Sequence, residues 1–229
     1  MITVVSKRQY FLEIEDDSGK ISFCNAMPVD GNALLIPNHV IPKKTCKARL
    51  VRKGAHVKNV VIQPEACSKL ENHDYALWSL PELGDNKSLI NYFPTAIEQG
   101  KKFKAQIVYN NATTVKVYPE MLVERQARET TLGGKFEAVS YSFPGQTFQG
   151  LCMATLVSSN NKGEPFISGF HLGGDGSAGC AGFLTRDEIK AGLANLNTLP
   201  GILSSHSSAP FNTSACDIDI TLSAPHELC

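Results

Sequence analysis

Residues 150–154 read Gly-Leu-Cys-Met-Ala, and residues 169–174 read Gly-Phe-His-Leu-Gly-Gly. The cysteine of the first stretch and the histidine of the second, Cys152 and His171, are 19 positions apart (171 − 152). A glycine two residues before a cysteine allows a tight turn, whose backbone N–H groups can hold an oxyanion. The pattern predicts a nucleophilic cysteine beside a pocket floored by the histidine, although a buried cysteine that only packs is the common alternative. The residues of the predicted oxyanion site are Gly150, Leu151 and Cys152.

A general base and an acid are predicted upstream of the cysteine. Residues 32–36 form an apolar, strand-like run that stops at a proline, so we expect His39 on a loop at the end of a strand. Asp74 directly precedes a second apolar strand and can orient an imidazole and stabilise its cation. Glu71, three residues earlier, is the alternative acid. Taken singly, a surface histidine and a turn-forming aspartate explain the same residues.

The chain order of these residues is histidine, acid, cysteine. Chymotrypsin-type enzymes have this order, whereas papain-like enzymes have the cysteine first. The order therefore predicts an all-β fold of two antiparallel β-barrels, with the active site in the cleft between them. Two alternatives are a protease-like fold that only binds RNA or protein, and an unrelated β-barrel such as a capsid domain. The capsid-type alternative predicts that Cys152 and His39 lie far apart.

The combined motifs resemble those of the 3C-like cysteine proteases of picornaviruses and related positive-strand RNA viruses, which are related to chymotrypsin. Residues 147–152, Thr-Phe-Gln-Gly-Leu-Cys, are similar to the Thr-X-X-Gly-X-Cys turn of that family. Residues 169–173 resemble its Gly-X-His-X-Gly segment, and the resemblance extends from about residue 20 to residue 185. It implies a chymotrypsin-like fold and a polyprotein-processing cysteine endopeptidase.

The resemblance also implies individual roles. Cys152, His39 and Asp74 would form a Cys-His-Asp triad that acts through an acyl-enzyme. Thr147 and His171 would bond the side-chain carbonyl of a glutamine, less often a glutamate, just before the cleaved bond. Gly173 would lie in the same pocket. The implied substrate is a viral polyprotein, with host proteins as further partners, and the implied location is the host cell cytoplasm.

Three features depart from the family pattern. Met153 follows the nucleophile where the family usually has glycine. Tyr141 is the candidate to steady His171, but residues 145 and 146 are inserted between it and the nucleophile turn. Residues 86–94, at the place where several members bind RNA, contain a single lysine, so RNA binding is not supported.

The composition is that of a globular, enzyme-sized protein. The 229 residues are 42% hydrophobic and 19% charged, and the 22 basic residues balance 22 acidic ones, so no net field attracts nucleic acid or an anionic membrane. Seven cysteines, without a Cys-X-X-Cys pair, predict a reducing compartment and no metal site, and we expect no cofactor. The sequence shows no secretory signal and no apolar run of ~20 residues, so no membrane segment is predicted. Nothing in it specifies an oligomeric state.

Two domains are predicted. Residues 1–97 form an N-terminal β-barrel with the base and the acid, and residues 98–229 form a C-terminal β-barrel with the nucleophile and the specificity pocket, followed by a tail from about residue 200. A capping box at residues 185–188 predicts a short helix to about residue 193. Strands are predicted at residues 20–27, 33–36, 46–51, 56–63, 75–80, 103–109, 113–118, 121–128, 136–143, 151–158, 165–172 and 179–184.

Overall fold

The structure is a computed structural model that describes residues 1–52, 56–84, 86–98, 100–129, 135–143 and 145–199. Two seven-stranded antiparallel sheets make up most of it. The predicted boundary between residues 97 and 98 lies between the two sheets, and the predicted tail lies outside the described residues. Neither helix of the described part has the length and apolarity needed to cross a membrane.

The N-terminal sheet has the strand order β5-β4-β1-β2-β3-β7-β6. Among the described residues no pairing joins its two outer strands, so this sheet is an open half-barrel rather than a closed one. Its strands are β1 (Tyr10–Glu15), β2 (Ile21–Asp30), β3 (Ala33–Pro37), β4 (Cys46–Arg52), β5 (His56–Ile62), β6 (Cys67–Lys69) and β7 (Tyr75–Ser79).

The C-terminal sheet has the order β10-β11-β14-β13-β12-β8-β9, and the additional pairing of β10 with β8 closes six of these strands into a barrel. The predicted all-β fold of two antiparallel β-barrels is therefore confirmed, with the C-terminal barrel closed and the N-terminal one a half-barrel. The strands are β8 (Lys102–Asn110), β9 (Val115–Val117), β10 (Met121–Glu129), β11 (Lys135–Ser142), β12 (Thr155–Ser159), β13 (Pro165–Asp175) and β14 (Ala178–Gly182).

Strand β3 shows why its sequence is apolar without alternation. Leu34 and Ile36 pack inside the N-terminal sheet, whereas Ala33 and Leu35 point into a second cluster shared with residues of the C-terminal barrel. Since side chains alternate along a strand, both faces of β3 are buried and every position is apolar. The end of β3, where His39 follows, is thereby fixed against both units.

Two helices flank the sheets, α1 (Ile2–Arg8) and α2 (Arg186–Asn197). The predicted capping box is confirmed, because the Thr185 side chain accepts a hydrogen bond from the backbone N–H of Glu188 while the Glu188 carboxylate accepts from the backbone N–H of Thr185. Helix α2 runs four residues beyond the predicted end (197 − 193). It packs on the N-terminal sheet, where Gly192 lies against Leu70 and Leu77.

The strand predicted at residues 151–158 is wrong at its beginning. Strand β12 begins only at Thr155, and residues 151–154 form a turn held by a hydrogen bond from the Ala154 N–H to the Leu151 carbonyl (2.9 Å). The apolar character of these residues reflects burial of the turn rather than pairing in a sheet, since Leu151, Met153 and Ala154 are fully buried. Strand β1 and helix α1 were not predicted.

Candidate active site

Cys152 lies on the turn that precedes β12. Gly150 has a φ of +94°, a conformation that side chains disfavour, and a Cβ there would lie 2.6 Å from the ring of Phe23. Met153, at the position where glycine was expected, also has a positive φ of +63° while its side chain is fully buried. The residue after the cysteine therefore has a left-handed backbone conformation although it is not a glycine.

His39 faces this cysteine from the other unit. It lies in a 3₁₀ turn, Asn38–Val40, directly after β3, and its Nε2 is 3.8 Å from the Sγ of Cys152. The two residues are 113 positions apart in sequence. The distance is within hydrogen-bond range for sulfur, so the expectation of the capsid-type alternative, that they lie far apart, is wrong.

Asp74 contacts the opposite side of the His39 ring. One carboxylate oxygen bonds His39 Nδ1, and the other accepts a hydrogen bond from the backbone N–H of His39 (3.2 Å). The backbone carbonyl of Asp74 also accepts from the N–H of Asn38 (2.9 Å). Glu71, the alternative acid, is exposed and makes no bond to His39. The structure therefore brings Asp74, and not Glu71, to the imidazole.

The charge of His39 is set by these contacts. The hydrogen bond to Asp74 and then the one to Cys152 raise the pKa of His39 to about 10, although burial acts in the opposite direction. The ring is therefore an imidazolium through the neutral pH range. An imidazolium beside a cysteine favours the thiolate, which is the nucleophilic form of the side chain.

His171 lies in β13 and is only 3% exposed. Its Nδ1 bonds the hydroxyl of Tyr141, and burial lowers the pKa of His171 to about 4. Burial also raises the pKa of Tyr141 well above its usual value, so the phenol keeps its proton and donates it to Nδ1. The neutral ring then carries its own proton on Nε2, where it can be donated to a ligand.

The walls of the histidine pocket come from the C-terminal barrel. The Thr147 N–H donates to the Gly176 carbonyl (2.9 Å), and the Thr147 side chain lies against Gly174. A Cβ at Gly179 would lie 2.2 Å from the Tyr141 ring, so glycine is required where this ring approaches β14. A groove of about 920 Å³ joins the whole site; it is lined by, among others, His39, Cys152, Thr147, His171 and Gly173.

The three predicted oxyanion residues differ in the availability of their N–H groups. The Leu151 N–H donates to the Phe148 carbonyl (3.2 Å), which removes it from the predicted donors. The N–H groups of Gly150 and Cys152 meet no acceptor in the part of the chain that the structure describes. These two groups are the ones that can bind an oxyanion.

His73, the neighbour of Asp74 in sequence, contacts a different partner. Its Nε2 lies 2.9 Å from an Oε atom of Glu188 in α2. Burial raises the pKa of Glu188, but the hydrogen bonds from His73 and Thr185 outweigh this effect and lower the pKa to about 2. The contact ties the loop that carries Asp74 to the C-terminal helix.

One buried side chain at this site was missed by the sequence analysis. Asn25, in β2, is fully buried and bonds the backbone of the nucleophile turn at Gly150 and Cys152. The only signal in the sequence is a polar residue in the middle of a strand that is buried from residue 24 to residue 29. No group of three or more His, Cys, Asp or Glu side chains among the described residues can hold a metal ion.

Comparison with known sequences finds picornavirus-type relatives. No family model matches the chain. The genome polyproteins of Human klassevirus 1 and of Salivirus A (isolate Human/Nigeria/NG-J1/2007) are each 24% identical to it over 181 residues, which is 78% of this chain. The chain spans about 7% of the length of these curated relatives.

Comparison with solved structures finds proteases. Catalytically active tobacco etch virus protease complexed with product has a TM-score of 0.65 at 14% identity, covering 86% of this chain and 81% of that one. The HRV-C 3C protein with rupintrivir has a TM-score of 0.53 at 16% identity, covering 81% and 96%. Active Rv3671c protease from M. tuberculosis has a TM-score of 0.57 at 13% identity, covering 94% and 88%. The fold is therefore that of the chymotrypsin-related, 3C-like viral proteases.

Proposed function

We propose that the chain is a cysteine endopeptidase that processes a viral polyprotein and cleaves after glutamine or glutamate, with Cys152, His39 and Asp74 as its triad. The observation that carries the proposal is the placement of the Cys152 sulfur 3.8 Å from Nε2 of His39, with the Asp74 carboxylate on the other ring nitrogen. This is the arrangement of nucleophile, base and orienting acid that acyl transfer requires. The similarity to picornaviral polyproteins supports the class of substrate.

The chemistry follows from the charge of His39. The thiolate of Cys152 attacks the scissile carbonyl carbon, and the carbonyl oxygen takes up the electron pair of the broken π bond. The free N–H groups of Gly150 and Cys152 stabilise this oxyanion, each worth about 3 kcal/mol of the activation barrier. His39 then gives its proton to the departing amine as the C–N bond breaks. Water, deprotonated by His39, hydrolyses the thioester and releases the cysteine.

Specificity for glutamine is supported by the uncharged state of His171. Its Nε2–H and the Thr147 hydroxyl are the donors that can meet a side-chain carbonyl in the pocket. A neutral donor offers a glutamate carboxylate no charge to compensate for its desolvation. Glutamine is therefore the favoured residue before the cleaved bond.

The proposal is tested by digestion of a peptide library with matched thiol variants. We expect Cys152→Ala to abolish turnover, while Cys67→Ala, which removes a thiol of β6, cleaves as the unaltered protein does. Mass spectrometry of the products identifies the residue before each cut. Equal cleavage by the Cys152→Ala protein would contradict the proposal, and a folded but inactive unaltered protein would favour the binding module instead.

The pocket is tested in the same library with His171→Ala. Losing the one hydrogen bond of about 1.5 kcal/mol that His171 donates lowers the selectivity for glutamine over alanine by about tenfold. Cleavage as such continues, because the triad is untouched. An unchanged preference for glutamine would show that another group reads this side chain.

A further inference from the structure

The amide of Asn25 crosses from the N-terminal sheet to the nucleophile turn. Asn25 pairs with Phe11 in the ladder between β2 and β1, and its side chain is fully buried. Its Nδ2 donates to the carbonyl oxygens of Gly150 (3.2 Å) and Cys152 (3.4 Å), and its backbone N–H donates to the same Cys152 carbonyl (2.8 Å). One residue therefore holds two carbonyl groups that flank the nucleophile.

These bonds fix two peptide planes. In a trans peptide the carbonyl and the N–H point in opposite directions. With the Gly150 carbonyl turned to Asn25, the Leu151 N–H points to the Phe148 carbonyl, and with the Cys152 carbonyl turned to Asn25, the Met153 N–H points to the His171 carbonyl (2.7 Å). The Cys152 N–H belongs to the peptide between these two, so its direction is limited from both sides.

The orientation of the Asn25 amide is itself determined. Its Oδ1 accepts hydrogen bonds from the backbone N–H of Asn110 (2.9 Å) and from Nε2 of Gln9. A flipped amide would turn Nδ2 toward a backbone N–H and Oδ1 toward two carbonyl oxygens, and would lose every one of these bonds. Gln9 and Asn110 are fully buried as well, so water cannot replace the lost partners.

We propose that Asn25 is a positioning residue for the oxyanion site: it holds the peptide planes on either side of the Leu151–Cys152 peptide and thereby aims the Cys152 N–H. The inference rests on the proposed endopeptidase function. Without the Asn25 donor, the peptide that joins Gly150 and Leu151 keeps only the bond from the Leu151 N–H to the Phe148 carbonyl (3.2 Å), so the neighbouring Cys152 N–H is aimed less firmly at the oxyanion. The Cys152 and His39 side chains keep their contact, because Asn25 bonds neither of them.

The test separates reactions that need the oxyanion site from one that does not. Asn25→Asp keeps the shape of the side chain but faces the two carbonyl oxygens with a carboxylate. We expect kcat for a glutamine peptide to fall about 10²-fold with KM changed less than about threefold, as for a donor used only in the transition state. A peptide aldehyde, whose carbonyl oxygen becomes an oxyanion when the thiolate adds to its carbon, is expected to bind about 10²-fold more weakly.

Iodoacetamide supplies the internal reference. The thiolate displaces iodide from its methylene carbon without forming an oxyanion, so the reaction reports only the thiolate and its imidazolium partner. We expect the alkylation rate of Asn25→Asp, and its dependence on pH, to stay within about threefold of the unaltered protein. A general loss of structure at the site would lower both reactions together.

Asn110→Asp is the matched control. Asn110 belongs to the same buried network, but its Nδ2 donates to the carbonyls of Gln9 (2.9 Å) and Val51 (3.3 Å) and not to the nucleophile turn. The substitution makes the same chemical change and is expected to lower the melting temperature by a similar amount. The ratio of aldehyde affinity to alkylation rate is expected to stay unchanged.

Gln9→Met decides the question if Asn25→Asp does not fold. Oε1 of Gln9 is buried without a partner, so methionine of similar shape removes an unsatisfied oxygen together with the Nε2 group that bonds both Asn25 and the Val108 carbonyl (3.1 Å). Loss of the unsatisfied oxygen and loss of the two Nε2 bonds act on stability in opposite directions, so we expect the melting temperature to change little. We expect kcat to fall about fivefold to tenfold, because Oδ1 of Asn25 loses one of its two donors.

Three results would overturn the inference: parallel loss of alkylation and turnover in Asn25→Asp, an equal loss of aldehyde binding in Asn110→Asp, or full turnover in Gln9→Met. Failure of the proposed function is recognised separately, because the unaltered protein would then cleave no peptide.

Discussion

Two histidines line one groove, and at neutral pH one is positively charged whereas the other is neutral. His39 follows a strand of the N-terminal sheet, its side chain is 49% exposed, and its partner is a carboxylate that raises its pKa to about 10. His171 lies within a strand of the C-terminal barrel, is almost completely buried, and has a pKa lowered to about 4 by that burial, with a tyrosine hydroxyl as its partner. The difference shows that burial and the partner on Nδ1 decide which imidazole is charged and which one is neutral.

The local backbone explains how each environment arises. A loop at the end of β3 leaves the His39 ring open to the groove. A position inside β13 surrounds His171 with barrel side chains, and its backbone bonds Ala154 and Met153 of the nucleophile turn. His171 and Cys152 are thus linked by backbone hydrogen bonds within the C-terminal barrel, whereas His39 comes from the other unit.

The substitution Asp74→Asn is expected to have the largest effect on the difference between His39 and His171. Without the carboxylate the pKa of His39 is expected to fall toward its usual value of 6.5, and the tautomer that accepts the thiol proton is no longer favoured. We expect kcat to fall by about 10⁴-fold, measured with a glutamine peptide across pH. Glu71→Gln is the control and is expected to leave kcat within about twofold; a large effect at Glu71 and none at Asp74 would reverse the assignment of the acid.

A smaller effect concerns stability in acid. His171 is held neutral in the folded state with a pKa of about 4, against 6.5 for the free side chain, so its contribution is fully present above pH 6.5 and is lost as the pH falls toward 4. This loss amounts to about 2 kcal/mol of unfolding free energy between pH 6.5 and pH 4.5. Urea unfolding at each pH measures it.

His171→Gln provides the reference for the acid series, because glutamine does not titrate. The decline in unfolding free energy between pH 6.5 and pH 4.5 is expected to be shallower by about 2 kcal/mol in this variant. His39 acts with the opposite sign: its raised pKa stabilises the fold below pH 6.5, and this stability is lost as the pH rises toward 10. If the unfolding free energy fell equally in both proteins between pH 6.5 and pH 4.5, His171 would not be buried in its neutral form.

The smallest of the three effects concerns the tautomer of the neutral His171 ring. Tyr141→Phe removes the hydroxyl that fixes the tautomer of His171, so Nε2 no longer carries the proton in every molecule. We expect the preference for glutamine before the cleaved bond to fall by about tenfold, measured as a ratio of kcat/KM values. Tyr118→Phe, which changes a tyrosine whose ring contacts Phe143, is the control and is expected to keep the preference.

Residues whose chemistry shows in a short motif were predictable from the sequence. Cys152, His39 and Asp74 each follow a local signal, and the structure brings all three together. The choice of Asp74 over Glu71 depends on which carboxylate reaches the ring, and sequence order alone left both open. The roles of these residues in catalysis stay predictions.

Features that depend on distant contacts were not predictable. Asn25 meets Gly150 across 125 positions of sequence, and nothing near either residue indicates the contact. The turn at residues 151–154 looks like a strand, because its apolar residues are buried by other elements rather than by pairing. The open form of the N-terminal sheet depends on which strands pair at its edges, and apolar patterning does not specify this.

A pH titration of the two groove histidines by NMR, with rings labelled in ¹⁵N and assigned through His39→Gln and His171→Gln, tests the central claim most directly. We expect the His39 ring to stay protonated until the pH approaches about 10, while the His171 ring stays neutral until the pH falls to about 4. Titration of both rings near pH 6.5 would contradict the account, because the two rings would then have the same charge at every pH.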